Sequence, residues 1–550
     1  MADTAEELRG ARAAAGQLRR IVDAALAAGR ERTANGRDID AHQPHTERLA
    51  YLATETLAVE TLLTYAELAE GRDPLAADEA IAFAGLVAGR ARGQIGDALE
   101  TFGLSEAQLE ETLDAAETRA FIRAATHDGR FDAIGARVVE WRGTPDCYLE
   151  GEEERMTREA VRAFARAEVM PIAQRIHLGD ELVPESILSK MAELGFFGLA
   201  VPVEYGGQGM GNLAMILTTE ELSVASLAAG GSLTTRPEIL TKALLGGGSE
   251  EQKQSWLPRL AAGEIMAAIS VTEPDTGSDV ASVKVRAERG EQDGGAGWFI
   301  SGAKAWCTFA GRADVIAMLC RTDPDLSKGA KGLSLFIVPK DRFQGHEFVM
   351  RQAGGGVIEG KADRTPGYRG MHSFTLQIER YFVPAGNLIG GEGSGFYLQM
   401  NGFAAGRLQT GGRATGLAQA ALEAAATYAN ERSQFGQPIG RYGLTRYKLG
   451  RMAVEIAAAR QLTYEAARIF DREESRAIEP SMAKLFACDV AVRTTQEAQI
   501  LHGGWGFAEE FPICRYVLDA LVLPIFEGVK PVLELKVIGR ALLARPSDLG

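Results

Sequence analysis

Two changes of hydrophobic period, near Met266 and near Gly391, constrain this chain more than any other feature. Between them, over about residues 266–388, apolar residues alternate in short runs: VKVRAE, GWFIS, DVIAMLC, LSLFIVP and SFTLQIE. Gly, Asp and Pro separate these runs. Alternation with period two turns one face of each run inward and the other outward, which is strand behaviour. On either side the runs are longer, rich in Ala, Leu, Glu and Arg, and spaced as helices. The expected architecture is therefore mainly α with a central β-barrel domain. Helices fill an N-terminal extension over 1–145, a helical domain follows over 150–265, the barrel spans 266–388, and a four-helix bundle spans 391–550. The acidic stretch Glu150–Glu154 reads as a linker. At 550 residues and 46% hydrophobic content, the chain can fill several cores.

Composition narrows the function classes. A net charge of −15 argues against a general nucleic-acid or anionic-membrane binder. The five cysteines are scattered without metal-ligand spacing, so reduced thiols and no metal site are expected. No apolar run approaches membrane-helix length, and the first residues lack a signal-peptide core. A cytoplasmic protein is the expectation.

The extension echoes the C-terminal region. ERTANGRDI at Glu31–Ile39 aligns with ERSQFGQPI at Glu431–Ile439, an offset of 400 residues, and Leu49 and Leu62 then meet Leu449 and Leu462. A degenerate duplication of the bundle is expected, with its chemistry lost, since Asn35 stands opposite Phe435.

Several stretches carry chemistry. Glu527 follows the apolar run Leu521–Phe526 and precedes Gly528. A carboxylate there is placed to act as a general base in a dry pocket, where desolvation raises its proton affinity, and the glycine lets a ligand approach the backbone. In RSQFG (Arg432–Gly436), the Arg suits phosphate and Phe435 suits stacking. In QILHGGWGF (Gln499–Phe507), the amides of Gly503 and Gly504 suit phosphate. The loop SVTEPDTGSDVAS (Ser270–Ser282) presents hydroxyls and amides to a planar polar ring. Trp306 in AWCTF lies in a strand, where a Trp usually packs in the core. Arg236, in the apolar SLTTRPEIL, needs an anion if buried.

Together these motifs resemble the acyl-CoA dehydrogenase family over roughly residues 150–545. The resemblance implies FAD-dependent α,β-desaturation of an acyl-CoA thioester, with Glu527 removing the α-proton and electrons passing to an electron-transferring flavoprotein. It implies that Thr272 meets the flavin pyrimidine edge, that Ser278 lies where the thioester arm begins, that Trp306 covers the flavin ring and that Thr308 sits near its reactive nitrogen. Ile269, Val271 and Cys307 complete that part of the cofactor set. Arg432 and Phe435 grip the pyrophosphate, usually of a neighbouring subunit, and Gln499, Gly503 and Gly504 meet the adenosine diphosphate. Substrate contacts fall to Ser278, Arg407, Gly528 and Arg236, the last through the distal carboxylate of a dicarboxylic acyl group. An earlier helix position used for the base by some relatives reads Gly406-Arg407 here and has no carboxylate. The chain departs from the family pattern at Asp275-Thr276, Tyr442-Gly443 and Val529. A homodimer is expected, with a tetramer as the alternative. The rival readings are a dehydrogenase of another short or branched acyl-CoA, an acyl-CoA oxidase using oxygen, a flavin monooxygenase or nitroalkane oxidase of the same fold, and a flavin-loaded scaffold.

Overall fold

The computed structural model describes residues 2–472 and 478–544. The chain begins with helices α1 (Ala2–Arg32), α2 (Gln43–Leu68), α3 (Ala76–Gly96), α4 (Ala116–Ala125) and α5 (Asp128–Trp141). Next come α6 (Glu152–Phe164), α7 (Met170–Gly179), α8 (Glu185–Glu193), α9 (Gly211–Ala225), α10 (Thr235–Gly247) and α11 (Glu250–Ala261). The strands are β1 (Ala267–Ser270), β2 (Arg286–Gln292), β3 (Gly295–Thr308), β4 (Val315–Arg321), β5 (Leu333–Pro339), β6 (Glu347–Arg351), β7 (Val357–Ala362), β8 (Ser373–Pro384) and β9 (Leu388–Ile389). Four long or medium helices follow: α12 (Gly395–Glu431), α13 (Gly443–Asp471), α14 (Ile478–Leu501) and α15 (Pro512–Ala520). A last helical segment covers Lys530–Val532, Leu533–Gly539 and Arg540–Leu543. Contacts divide the chain into two compact units, one holding 156–409 and the other joining 1–155 to 410–550.

In the unit 156–409 the strands form one mixed sheet in the order β6-β7-β8-β3-β2-β4-β5-β9, with β1 parallel to β4. This corrects the barrel expectation, because the sheet is open. Its two ends, β6 and β9, do not pair. β9 has only two residues, and β2 meets β4 at the single pair Arg286↔Arg321. Alternation specifies which face of a strand is buried, but closure depends on stagger and strand number, which alternation does not encode. The outer strand β6 carries charge on its exposed face, with Glu347 paired to Lys361 at 2.8 Å, and so resists edge-to-edge pairing. Helix α10 packs Leu240 and Leu244 against Ile269, Leu319, Leu335 and Ile337 of the sheet. All six are at most 7% exposed. Burial of such side chains contributes about 1.5–3 kcal/mol each.

In the other unit, α5 crosses α13 with almost no space between backbones. A Cβ on Gly135 would lie 1.8 Å from the Arg446 carbonyl oxygen, and one on Gly450 would lie 2.1 Å from that of Phe131. Only glycine permits this approach. The extension and the C-terminal helices follow one plan at the offset of 400. Helix α1 ends at Arg32 and α12 at Glu431; short 3-10 turns follow at Ile39–His42 and Ile439–Arg441; α2 begins at Gln43 and α13 at Gly443. The first turn runs through three consecutive left-handed residues, Ala34, Asn35 and Gly36 (φ 50°, 56° and 77°), and the second, a short hairpin pairing Ser433–Gln434 with Gln437–Pro438, through two, Phe435 and Gly436 (φ 51° and 87°). Contacts between the two sets are reciprocal. Arg451 of α13 lies 5.7 Å over the ring of Phe131, and Lys530 lies 5.1 Å over the ring of Tyr51 on α2. Glu55 and Glu455, again 400 apart, both reach Arg90, at 2.5 and 4.0 Å.

Candidate active site

In the unit 156–409, the loop after β1 is held by a buried ion pair. The Lys304 ammonium, with no exposure, donates to Glu273 at 3.1 Å and to the Val271 carbonyl at 2.8 Å. Glu273 also accepts from the backbone amides of Lys284 and Val285, at 2.9 and 2.8 Å. A buried charge needs such a partner set, so the segment between Val271 and Val285 is pinned to β3 from within. Thr272 is tied to the same strand through its carbonyl, which accepts from the Ala305 amide at 2.9 Å. Ser278 lies exposed at the far side of the loop.

Strand β3 breaks register with β8 between Lys304 and Cys307. The break turns Trp306 to φ 57° and leaves it 59% exposed. A strand Trp usually packs in the core, but this one stands out from its strand. Thr308 shares a 2.9 Å hydrogen bond with Ser373 of β8, and the Phe309 amide donates to the His372 carbonyl. Cys307 points the other way. Its thiol sits 3.0 Å from the Ser270 hydroxyl, and burial pushes its pKa up to about 11. Ile269 and Val271 are also core side chains. These three residues face the interior, so their backbones alone are left for a ligand. Arg236 begins α10 and is 6% exposed, and its charge lowers the proton affinity of the Cys307 thiol. Arg407, on α12, is 8% exposed. Nearby, Asp180, His346 and His372 offer potential metal-ligand atoms within 4.8 Å of one another, but the Arg369 guanidinium already stands 3.6 Å from the Asp180 carboxylate.

In the other unit, Glu527 occupies a left-handed conformation, φ 55°, followed by Gly528 at φ 101°. A non-glycine residue there costs on the order of 1–3 kcal/mol and needs support from its surroundings. Helix α14 supplies it. The Lys484 ammonium donates at 2.5 Å to the carbonyl of Phe526, just before Glu527, and also to that of Gly528, just after it. One turn on, Cys488 reaches the Leu523 carbonyl at 3.4 Å. Buried Arg413 lies 4.7 Å over the Phe526 ring. Lys484 and Glu273 were not singled out from the sequence. For Lys484 the signal was a lone charge inside the apolar run Met482–Cys488, which must find partners or stay out of the core; Glu273, within the polar loop Ser270–Ser282, carried no such signal.

The turn after α12 presents Phe435 almost fully to solvent, at 96%, with Arg432 exposed beside it. Gln499 donates at 3.0 Å to the Gly506 carbonyl, and this hydrogen bond shapes the turn after α14. At that turn, Gly503 and Gly504 are exposed, and a Cβ on either would meet nothing within 4 Å.

Comparison with known proteins gives these features a family. The chain matches the acyl-CoA dehydrogenase N-terminal domain over 151–264, the middle domain over 268–381 and the C-terminal domain over 393–543. It is 40% identical to (2S)-methylsuccinyl-CoA dehydrogenase of Cereibacter sphaeroides over 430 residues, which is 77% of this chain and 76% of that one. The chain belongs to the acyl-CoA dehydrogenase family. Among solved structures it is similar to butyryl-CoA dehydrogenase from Megasphaera elsdenii, with 29% identity and a TM-score of 0.66 over 72% of this chain and 99% of the other. A chain solved in work on the electron transferring flavoprotein of Acidaminococcus fermentans, addressing flavin-based electron bifurcation, gives 31% identity and a TM-score of 0.66, over 73% of this chain and 100% of that one.

This acyl-CoA dehydrogenase is an FAD-dependent oxidoreductase. Its residues fit the cofactor. In one unit Trp306 offers an uncovered aromatic face beside the Thr308 hydroxyl. In the other, Phe435 does the same next to Arg432, and the Gly503-Gly504 backbone is open to close approach. The match to the family begins only near residue 151, so the extension stands outside all three family domains. No helix among the described residues is long and apolar enough to cross a membrane.

Proposed function

We propose that this enzyme oxidises (2S)-methylsuccinyl-CoA to mesaconyl-CoA, with Glu527 as the base. The observation that carries the base assignment is the Glu527 turn, held in a left-handed conformation by a buried cation that takes the carbonyls on both sides of it. Strained backbone fixed from behind is what a carboxylate needs if it is to meet one particular proton. Glu527 removes the α-proton, and its backbone amide polarises the thioester carbonyl. Bound FAD would supply the acceptor for the β-hydride, so that removal of both hydrogens leaves a carbon–carbon double bond. Thr272, Trp306 and Thr308 orient the ring, and Ser278, Arg407 and Gly528 line the acyl-CoA arm. Arg432, Phe435, Gln499, Gly503 and Gly504 hold the nucleotide end of the cofactor.

Arg236 supports the dicarboxylic substrate. It is a buried cation at the head of α10. A distal carboxylate would pair with it in a dry site, where such a pair discriminates strongly against uncharged acyl groups. Identity to a methylsuccinyl-CoA dehydrogenase points the same way. Electrons leave to an electron-transferring flavoprotein. The extension is a degenerate copy of the C-terminal helices, and by covering them it leaves the enzyme a homodimer.

Anaerobic titration with methylsuccinyl-, succinyl-, glutaryl-, butyryl- and octanoyl-CoA, followed by flavin bleaching, tests the reading. Bleaching by methylsuccinyl-CoA alone is expected, abolished in Glu527→Gln and weakened in Arg236→Ala. Bleaching by monocarboxylic thioesters only would remove Arg236 from the substrate site. Rapid reoxidation in air would indicate an oxidase.

A further inference from the structure

The turn that carries Glu527 is tied to the N-terminal extension through one carboxylate. Asp489 lies on α14, one residue past Cys488, and is 15% exposed at its side chain. Its Oδ2 accepts from two donors. The Lys530 ammonium reaches it at 2.6 Å, and the hydroxyl of Tyr51, on α2, reaches it at 2.8 Å. The same ammonium lies 5.1 Å over the Tyr51 ring and 3.8 Å from Glu534. Lys530 is also the last residue of the catalytic turn. Its amide donates to the Pro524 carbonyl at 2.9 Å and closes the loop that contains Phe526, Glu527 and Gly528.

Helix α14 thus holds the turn at both ends. Lys484 and Cys488 take the carbonyls of Leu523, Phe526 and Gly528, and Asp489 takes the side chain of Lys530. The first group lies within the C-terminal helices. The second is completed from the extension, because Tyr51 supplies both a hydrogen bond to Asp489 and an aromatic face to Lys530. Burial and the neighbouring Asp489 push the Tyr51 phenol far above its ordinary value, so it remains a donor. The reciprocal contact, Arg451 over Phe131, touches no residue of the catalytic turn. The link is therefore specific to one side of the repeat.

We propose that Tyr51 is a positioning residue of the active site: by fixing Asp489 and Lys530, the extension holds the turn that presents Glu527. The proposal rests on the reading of Glu527 as the base. The folded extension is then part of the catalytic apparatus although none of its own residues reaches the reacting atoms.

The test uses full-length, FAD-loaded Tyr51→Phe, Lys530→Met and the double variant, with Glu527→Gln as control. Two readouts are taken: kcat and KM with (2S)-methylsuccinyl-CoA, and amide hydrogen exchange over 524–530 without substrate. Loss of one hydrogen bond from the relay is expected to lower kcat about threefold to tenfold. KM and flavin content should stay unchanged, and exchange should accelerate in the turn but not in α1 or α3. The double variant should be no slower than Lys530→Met alone, because both act through one link. Unchanged exchange in the turn, multiplicative losses in the double variant, or acceleration spread evenly over the extension would each overturn the proposal. Full turnover by Glu527→Gln would remove the base reading instead, while the exchange result would still decide whether Tyr51 holds the turn.

Discussion

Replacing Lys484 by methionine tests the physical account of the base most directly. The substitution keeps the length and most of the volume of a side chain that is 1% exposed, and removes only its charge and donors. The carbonyls of Phe526 and Gly528 then lose their shared partner. Each charge-assisted hydrogen bond contributes about 1.5–3 kcal/mol to a fixed geometry. The turn is half-buried, so water replaces part of that loss, and about 2 kcal/mol is a reasonable net figure. The left-handed conformation of Glu527 costs a similar amount, so the turn is expected to relax. A shift of about 2 kcal/mol lowers the competent population, and with it the bleaching rate at saturating substrate, by about 30-fold. Anaerobic stopped-flow with (2S)-methylsuccinyl-CoA measures that rate, and visible absorbance reports flavin content. A Lys484→Met enzyme with full flavin and an unchanged bleaching rate would refute the clamp.

Three further outcomes follow from the packing and the charges. Glu273→Gln leaves the Lys304 ammonium buried without its counter-charge, which is expected to cost about 3–5 kcal/mol and show as lost FAD and a lower melting temperature. Gly135→Ala drives a methyl group into the Arg446 carbonyl, and the α5–α13 crossing must open; a cost of about 1–3 kcal/mol or more is expected, with faster proteolytic release of the extension. Glu534 has its pKa raised by burial to about 7. The folded protein then keeps a proton that the unfolded chain has released, so stability falls as pH rises from the ordinary carboxylate range through about 7. Glu534→Gln removes that penalty: thermal melts should show a gain of up to about 3 kcal/mol at pH 8 and little change near pH 4.5.

Much of this was legible in the sequence where local pattern decides the outcome. The alternating runs between Met266 and Leu388 gave strands, because period two has few other readings. The two stretches aligned at the offset of 400, ERTANGRDI and ERSQFGQPI, both fold as turns through a left-handed glycine, Gly36 and Gly436, because a glycine between helical runs marks a break in the pattern. What stayed hidden depends on pairing at a distance. The sheet is open because β6 and β9 stop short of each other, and nothing within either strand states that. The exposure of Trp306 comes from a break in register with β8, a property of two strands together. Lys484 reads as an ordinary helix cation until the fold brings it to carbonyls more than forty residues away. The paired role of Glu273 and Lys304 is of the same kind.

The close crossing of α5 over α13 has an evolutionary consequence. When two identical subunits meet about a twofold axis, every substitution appears on both sides at once, and a change that helps one half must be tolerated by the other. On the duplication proposed above, joining the two halves in a single polypeptide removes that constraint. On the proposal that the extension copies the C-terminal helices, position 51 carries a tyrosine that meets Lys530 while its counterpart at 451 carries an arginine that packs over Phe131. A fused repeat can assign the two sides of one contact to different tasks, a freedom that no symmetric assembly of identical chains possesses.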